Sequence, residues 1–288
     1  MGAKTRTECS AGRSAARQSV LCVGGTVLGA FLCASALAQG TGAGNVHPAL
    51  QDRWSLQVGI FVPDVKTTAS LNGAGGRVNA KVDFEQDLDL KDRDTLPAIL
   101  ASVRLGHRWK IEAEYFALNR SASAPLSRTI SWGDNTYTVG TTVSSTFDSD
   151  IYRLSAGYAL LKSNEHELGV ALGAFVTDFD ASISAPGIGT SAGDTLAPLP
   201  TIGLYGAYAL SSKWLFSGRM DYFFINYDDY EGDLINVSAG IDYRFTRHFA
   251  AGLAYRYVDY DLNVSDSSYS GDIEYRFNGP MFYITASF

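Results

Sequence analysis

The chain has 288 residues, 46% of them hydrophobic and 18% charged, with a formal net charge of −7. That acidity excludes nucleic acid as a partner, because a phosphate backbone selects basic surfaces. Beyond the N-terminal region no apolar run is long enough for a membrane helix, so a membrane protein of this composition has to be a β-barrel.

The first 38 residues read as a cleaved secretory signal. Lys4, Arg6, Arg13 and Arg17 form a basic region, Val20 to Cys33 is apolar, and Ala36-Leu37-Ala38 supplies a small-x-small cleavage site. Cleavage removes Cys9, Cys22 and Cys33, leaving no thiol for disulfides, metal binding or catalysis. It also removes four basic residues and one acidic residue, which leaves 19 and 29 and a net charge of −10. Residues 39–53 are expected to form a flexible periplasmic leader, and 54–288 the folded domain.

From Trp54 onward the apolar residues alternate with a period of two, the pattern of half-buried strands. Trp54, Leu56, Val58, Ile60 and Val62 share one face. Ile99 to Leu105, Trp109 to Tyr115, Tyr152 to Leu160 and Leu168 to Ala174 repeat the alternation. So do Ile202 to Leu210, Trp214 to Phe224, Ile235 to Phe245, Phe249 to Tyr257 and Ile273 to Phe277. After Asn278-Gly279-Pro280 the phase slips by one, which reads as a β-bulge. These segments predict a single all-β domain, an antiparallel up-and-down transmembrane β-barrel of about ten strands, with eight or twelve as alternatives.

Connections near 106–108, 162–166, 211–213 and 246–248 are tight. Those near 63–95, 120–148, 181–195, 227–232 and 263–270 are mostly longer and polar. Short turns on one side and long loops on the other are a barrel pattern, with termini and turns expected in the periplasm and loops outside. Trp54, Trp109, Trp214 and Phe249 are placed for one aromatic girdle, and Tyr227, Tyr230, Tyr257 and Tyr260 for the other.

The run Phe282, Ile284, Ala286, Phe288 ends the chain on an aromatic residue. With the signal and the alternation, it resembles the closing strand of small bacterial outer-membrane β-barrels of the OmpA and OmpX type. In that group the terminal aromatic, here Phe288, belongs to the signal read by the barrel-assembly machinery. Val82 to Leu90 also resembles an acidic Asp-Leu-Gly-Leu element of uncharacterised barrels, with Asp89 in place of the glycine. The resemblance implies the outer membrane of a Gram-negative cell as the location. It implies outer-membrane lipid and lipopolysaccharide as partners, with the assembly machinery during biogenesis, and a monomer. It carries no catalytic residues.

The candidate site is the lumen. Arg104, Lys110, Arg153, Arg219, Arg244, Arg256 and Arg276 are expected to point inward, with Glu112, Glu114, Asp221, Asp242, Asp272 and Glu274. Near-balanced charge in a narrow tube implies paired groups and a largely closed interior rather than a single-sign pore. Arg219, Asp221, Asp242 and Arg244 are expected to form one compact network, and the acidic segment 83–94 is a candidate to fold inward and cap the lumen. A second cluster, Asp228, Asp229, Glu231, Asp233, Asp259 and Asp261, is expected on an outer rim. Its chemistry suits a divalent cation, although an acidic solvated loop is the plainer reading.

All four histidines lie at the short-turn side or in the leader: His47, His107, His166 and His248. A histidine-dependent site at the outer surface therefore has no histidine there. No cofactor is expected. The leading expectation is a non-enzymatic barrel with a structural or surface-interaction role. A narrow small-solute channel is the second reading, and an outer-leaflet lipid-modifying enzyme the third.

Overall fold

Alternating strands leave backbone donors and acceptors on both edges. A sheet in lipid satisfies them only by closing on itself. The computed structural model closes in this way. It describes residues 47–72, 80–227, 230–265 and 270–288, without side-chain detail for 225–231 and 264–270. The expected signal and most of the leader lie outside the described residues, as do Asp228 and Asp229.

In chain order the strands begin with β1 (Trp54–Phe61), β2 (Asp64–Leu71), β3 (Val82–Asp83), β4 (Leu96–Leu105) and β5 (Trp109–Pro125). There follow β6 (Ile130–Trp132), β7 (Asn135–Tyr137), β8 (Thr142–Lys162), β9 (His166–Ala185) and β10 (Gly189–Ala209). The last are β11 (Trp214–Tyr227), β12 (Tyr230–Arg244), β13 (Phe249–Ser265) and β14 (Ser270–Ser287). β14 pairs with both β1 and β2, so these two form one wall strand interrupted at Val62-Pro63. With that strand counted once, the wall is a closed, antiparallel, up-and-down barrel of ten strands.

The strands are longer than expected. β8, β9 and β10 have 21, 20 and 21 residues, roughly 65–70 Å at ~3.3 Å per residue. A tilted crossing needs only about 9–11 residues. The supposed loops near 120–148 and 181–195 are largely strand. The reason lies in the outer face of β8, where Tyr152, Leu154, Ala156, Tyr158 and Leu160 give way to Asp150, Asp148, Thr146 and Ser144. On β9, Leu168 to Val176 gives way to Asp178, Asp180, Ser182 and Ser184. The sheet leaves its apolar belt and continues as a water-facing wall.

Inside, the polarity inverts in the opposite sense. Toward the short turns the interior carries charge. Beyond the belt it is an apolar core containing Phe61, Phe116, Phe147, Phe175, Phe179, Tyr260, Tyr275 and Phe277. This inversion corrects three expectations. β14 pairs with β13 from Ala286 to Ser270 without a register shift, so there is no bulge at 278–280. Tyr275 and Phe277 are buried inside, which leaves Asp272, Glu274 and Arg276 on the outer face rather than in the lumen. Tyr260 is also buried in the core and is no part of an outer girdle. Among the described residues the exposed aromatics toward that end of the belt include Tyr115, Tyr152, Tyr222, Phe224 and Tyr255, while the side chains of Tyr227 and Tyr230 lie outside the described residues.

The acidic segment does fold inward. Phe84, Leu88 and Leu90 are buried in the core, and the β6–β7 hairpin adds Ile130, Trp132 and Tyr137. Beside β2 the segment stands where β4 is too short to reach: Phe84 N–H donates to Thr67 O (3.0 Å) and Val65 N–H to Asp92 O (2.7 Å). Arg120 holds it through Glu85, Thr67 Oγ1 (2.5 Å) and Lys91 O (3.2 Å). Arg128 donates to Asp87 (2.7 Å). At the short-turn mouth, residues 47–53 are packed rather than a free leader. Pro48–Leu50 forms a 3-10 turn, with Leu50 buried against Ala209 and Leu215.

Candidate functional site

The interior between these two closures is crossed by a ring of polar contacts. β5 presents Lys110, Glu112 and Glu114 at alternate inward positions, so three charges stack on one strand. Glu112 pairs with Lys110 (3.1 Å), with Arg219 of β11 and with Arg153 of β8 (3.6 Å). Glu114 accepts from Arg153 Nε (2.7 Å) and from Arg256 Nη1 of β13 (2.7 Å). Arg219 also forks onto Asp221 (2.7–3.0 Å). Asn236 Nδ2 donates to Asp221 (2.8 Å), while Asn236 Oδ1 accepts from Arg256 (2.8 Å), which closes the ring. β5 and β11 are not neighbours, so these bonds span the lumen. Glu114, Arg153, Asp221, Asn236 and Arg256 are all buried.

Nearer the turns, Arg104 pairs with Glu167 (2.7 Å), and Lys110 Nζ lies 4.1 Å above the Tyr205 ring. That ring occupies the space a Cβ at Gly169 would need, which is why β9 carries glycine there. At the mouth Asp52 accepts from Ser287 Oγ (2.7 Å), Arg247 (2.8 Å) and Arg244 (3.3 Å). A cavity of about 240 Å³ lies among these groups, lined by Arg104, Lys110, Glu112, Tyr205, Arg219 and Asp242 among others.

Ten of the expected lumen residues therefore point inward: Arg104, Lys110, Glu112, Glu114, Arg153, Arg219, Asp221, Asp242, Arg244 and Arg256. They do not form the four-residue network expected of Arg219, Asp221, Asp242 and Arg244. Arg219 and Asp221 join the cross-lumen ring. Arg244, at the end of β12, turns to Asp52 in the mouth, and Asp242 accepts from the Tyr283 hydroxyl. Sequence reasoning missed Glu167 and Asp52, and it left Asn236, which it places on the lumen face, out of the charge network. Glu167 precedes Leu168 in strict alternation, so starting that strand one residue earlier would have found it.

Of the rim cluster, the members among the described residues lie on strands rather than in loops, Glu231 and Asp233 on β12 and Asp259 and Asp261 on β13. Asp259 and Asp261 lie within β13, where Asp259 pairs with Arg276 (2.8 Å) and Asp261 faces Asp233 across the ladder. The Glu231 side chain is outside the described residues. Among the described residues no group of three His, Asp or Glu side chains is arranged to hold a metal ion. Asp87, in the folded-in segment, is pushed upward by its burial. Hydrogen bonds from Arg128 and the Asp83 N–H outweigh this and hold its carboxyl below the usual range.

The fold is that of the small outer-membrane β-barrels. The outer-membrane protease OmpT from Escherichia coli superposes with a TM-score of 0.57 at 15% identity, covering 82% of this chain and 97% of that one. The transport unit of the autotransporter AIDA-I from Escherichia coli gives 0.40 at 10% identity, with 90% and 98% covered. OprG from Pseudomonas aeruginosa gives 0.38 at 12%, with 84% and 97% covered. No protein-family model matches the chain, and no curated protein matches it.

Proposed function

We propose that this protein is a closed, non-enzymatic barrel of the Gram-negative outer membrane, with a structural or surface-interaction role. In this reading the short turns and both ends of the barrel chain face the periplasm. The apolar belt contacts lipid, the water-facing extension meets lipopolysaccharide and the exterior, and the protein is a monomer. Phe288 serves recognition by the assembly machinery. It is the outward aromatic closing β14, with its carbonyl bonded to Trp54 N–H (2.9 Å) and its ring stacked on His248 (4.7 Å).

The observation that carries the reading is the ring around Glu112 and Glu114. It ties opposite walls together across the lumen, beneath an apolar core and above the cap at residues 47–53. A solute path would have to break several charge-assisted bonds at once. The histidines sit at the short-turn end, which supports a role other than histidine-dependent chemistry at the far surface. OmpT is a protease by name, but a match at 15% identity transfers fold and not activity.

Single-channel recording of the purified chain in planar bilayers tests this. The expected result is a flat trace. Discrete, reproducible current steps would replace this reading with that of a channel. Lipid A mass spectrometry on overexpressing cells is expected to show an unchanged profile, and a new acylation pattern would mean an enzyme.

A further inference from the structure

Among the described residues, β10 carries a long edge without a strand partner. β10 pairs with β9 from Gly189 to Tyr208, but with β11 only from Ile202–Tyr222 to Ala209–Leu215. β11 runs on to Tyr227 in company with β12 alone. Beyond Ile202, then, β10 has a ladder partner on one side only among the described residues, with Asn135 of β7 reaching the Ser191 side chain (2.9 Å).

The sequence explains where the ladder stops. In an antiparallel strand, backbone groups alternate between the two neighbours. Leu210 N–H donates to Trp214 O on the β11 side, and Ala209 N–H to Glu165 O on the β9 side. Even-numbered positions of β10 therefore face β11. Pro198 and Pro200 occupy the next two even positions past Ile202, and proline has no N–H to offer. Beyond them Thr190, Ala192, Asp194 and Leu196 direct both N–H and C=O away from β9, and all four are exposed. No backbone bond among the described residues reaches them from that side.

This edge is in water, not lipid. The outer face around it carries Asp178, Asp180, Ser182 and Ser184, and an unpaired edge in hydrocarbon is not tolerated. It is also strongly acidic. Asp148 faces Asp180, which faces Asp194, and Asp150 faces Asp178. Like charges placed opposite one another repel. Among the described residues none of these five carboxylates forms a salt bridge, whereas the lumen carboxylates Glu112, Glu114 and Asp221 are each paired with arginine. A strand added beside β10 would place its outward side chains next to Asp194.

We propose that the edge from Gly189 to Leu196 accepts an extended, basic segment of another polypeptide as an added β-strand. Backbone bonding to Thr190, Ala192, Asp194 and Leu196 gives the register. Lysine or arginine at alternate positions of the partner meets the acidic outer face. The two prolines set the inner limit of the added ladder. This inference rests on the surface-interaction reading above and names its partner chemistry.

The test uses the full mature chain folded in neutral detergent. The probe is a capped, fluorescent octapeptide alternating lysine with threonine. Anisotropy should report saturable binding. Affinity should fall on the order of tenfold or more when alternate probe amides are N-methylated, when lysine is replaced by glutamate, or in Ala192→Pro. In the wild type, hydrogen exchange at Thr190, Ala192, Asp194 and Leu196 should slow on adding the probe, so the proposal stays testable if Ala192→Pro fails to fold. Absent binding at millimolar probe overturns it. Equal binding of the N-methylated probe also overturns it, since the edge is then not the contact. A concentration-dependent dimer dissolved by Ala192→Pro gives the edge to a second copy and overturns it as well. Bilayer recording of the same preparation separates the two readings. A silent barrel that ignores the probe loses only this partner, whereas a conducting barrel that binds it loses only the closed lumen.

Discussion

Glu114→Gln tests whether the ring is as dry as its geometry implies. Glu114 has 6% side-chain exposure and its partners Arg153 and Arg256 have 4% each. The substitution keeps shape and removes the charge that both guanidinium groups share. Removing one member of a buried pair costs about 3–5 kcal/mol because the partner is left uncompensated. Here two cations are affected, but neither is abandoned. Arg153 keeps Glu112 at 3.6 Å, and Arg256 keeps Asn236 at 2.8 Å and the Phe116 ring at 4.7 Å. The expected loss is therefore near the lower end, about 3 kcal/mol. Urea unfolding from liposomes, followed by tryptophan fluorescence, measures it. Arg256→Met in the same background should recover part of the loss, since it removes a buried cation that no longer has a carboxylate partner. A loss below about 1 kcal/mol, with no recovery, would refute the argument, because that is the cost of a solvated pair.

Leu253→Arg should cost roughly 2–4 kcal/mol in bilayers, because Leu253 points out of the apolar belt on β13. The same side chain placed at Ser238, inside, should be limited by space, and equal folding of Leu253→Arg and wild type would mean the faces are misassigned. Gly252→Ala should cost about 1–3 kcal/mol, since a Cβ there meets the Tyr283 ring and Asp242 Oδ1. Asp87 has a folded-state pKa below its unfolded value, so its bond to Arg128 stabilises the folded-in segment above the unfolded value and is lost as pH falls below about 4. Hydrogen-exchange protection in residues 80–95, taken relative to the intrinsic rate at each pH, should fall there in wild type, and in Asp87→Asn should be low already at neutral pH.

The barrel was legible because a period-2 pattern survives any loop assignment, and the inward charges because they oppose an apolar belt. What misled is the continuation of that pattern beyond the belt. Ile273, Tyr275 and Phe277 look like Phe282 and Ile284 shifted by one, and a shift suggests a bulge. The strand is in fact regular. Water replaces hydrocarbon outside and an apolar core replaces charge inside, so the apolar residues change faces while the backbone does not. Alternation reports a difference between faces and cannot say which one is the interior. Glu167 and Asp52 were hidden for another reason, since each lies at an element's end where the periodic signal has only one neighbour.

The inversion also determines how the ring behaves. Going up β5 the inward residues change from Glu112 and Glu114 to Phe116 and Leu118, and on β8 from Arg153 to Ile151. On β13 the change is from Arg256 to Val258. The ring thus lies directly under the apolar core, which shuts out water from that side, while Leu50 and Asp52 close the other mouth. Phe116 is the contact between the two layers. It packs edge-on to Phe61 and Phe277 at 6.2 and 5.7 Å and under Arg256. If the core keeps the ring dry, Phe116→Ala does more than lose packing worth about 3–5 kcal/mol. It admits water to Arg256 and Glu114, and in that background Glu114→Gln should cost only about 0–1 kcal/mol. The double-mutant cycle should therefore show a coupling of about 2 kcal/mol or more, with the double variant more stable than the two single losses predict. Losses that add to within about 0.5 kcal/mol would mean that core and ring are energetically separate layers.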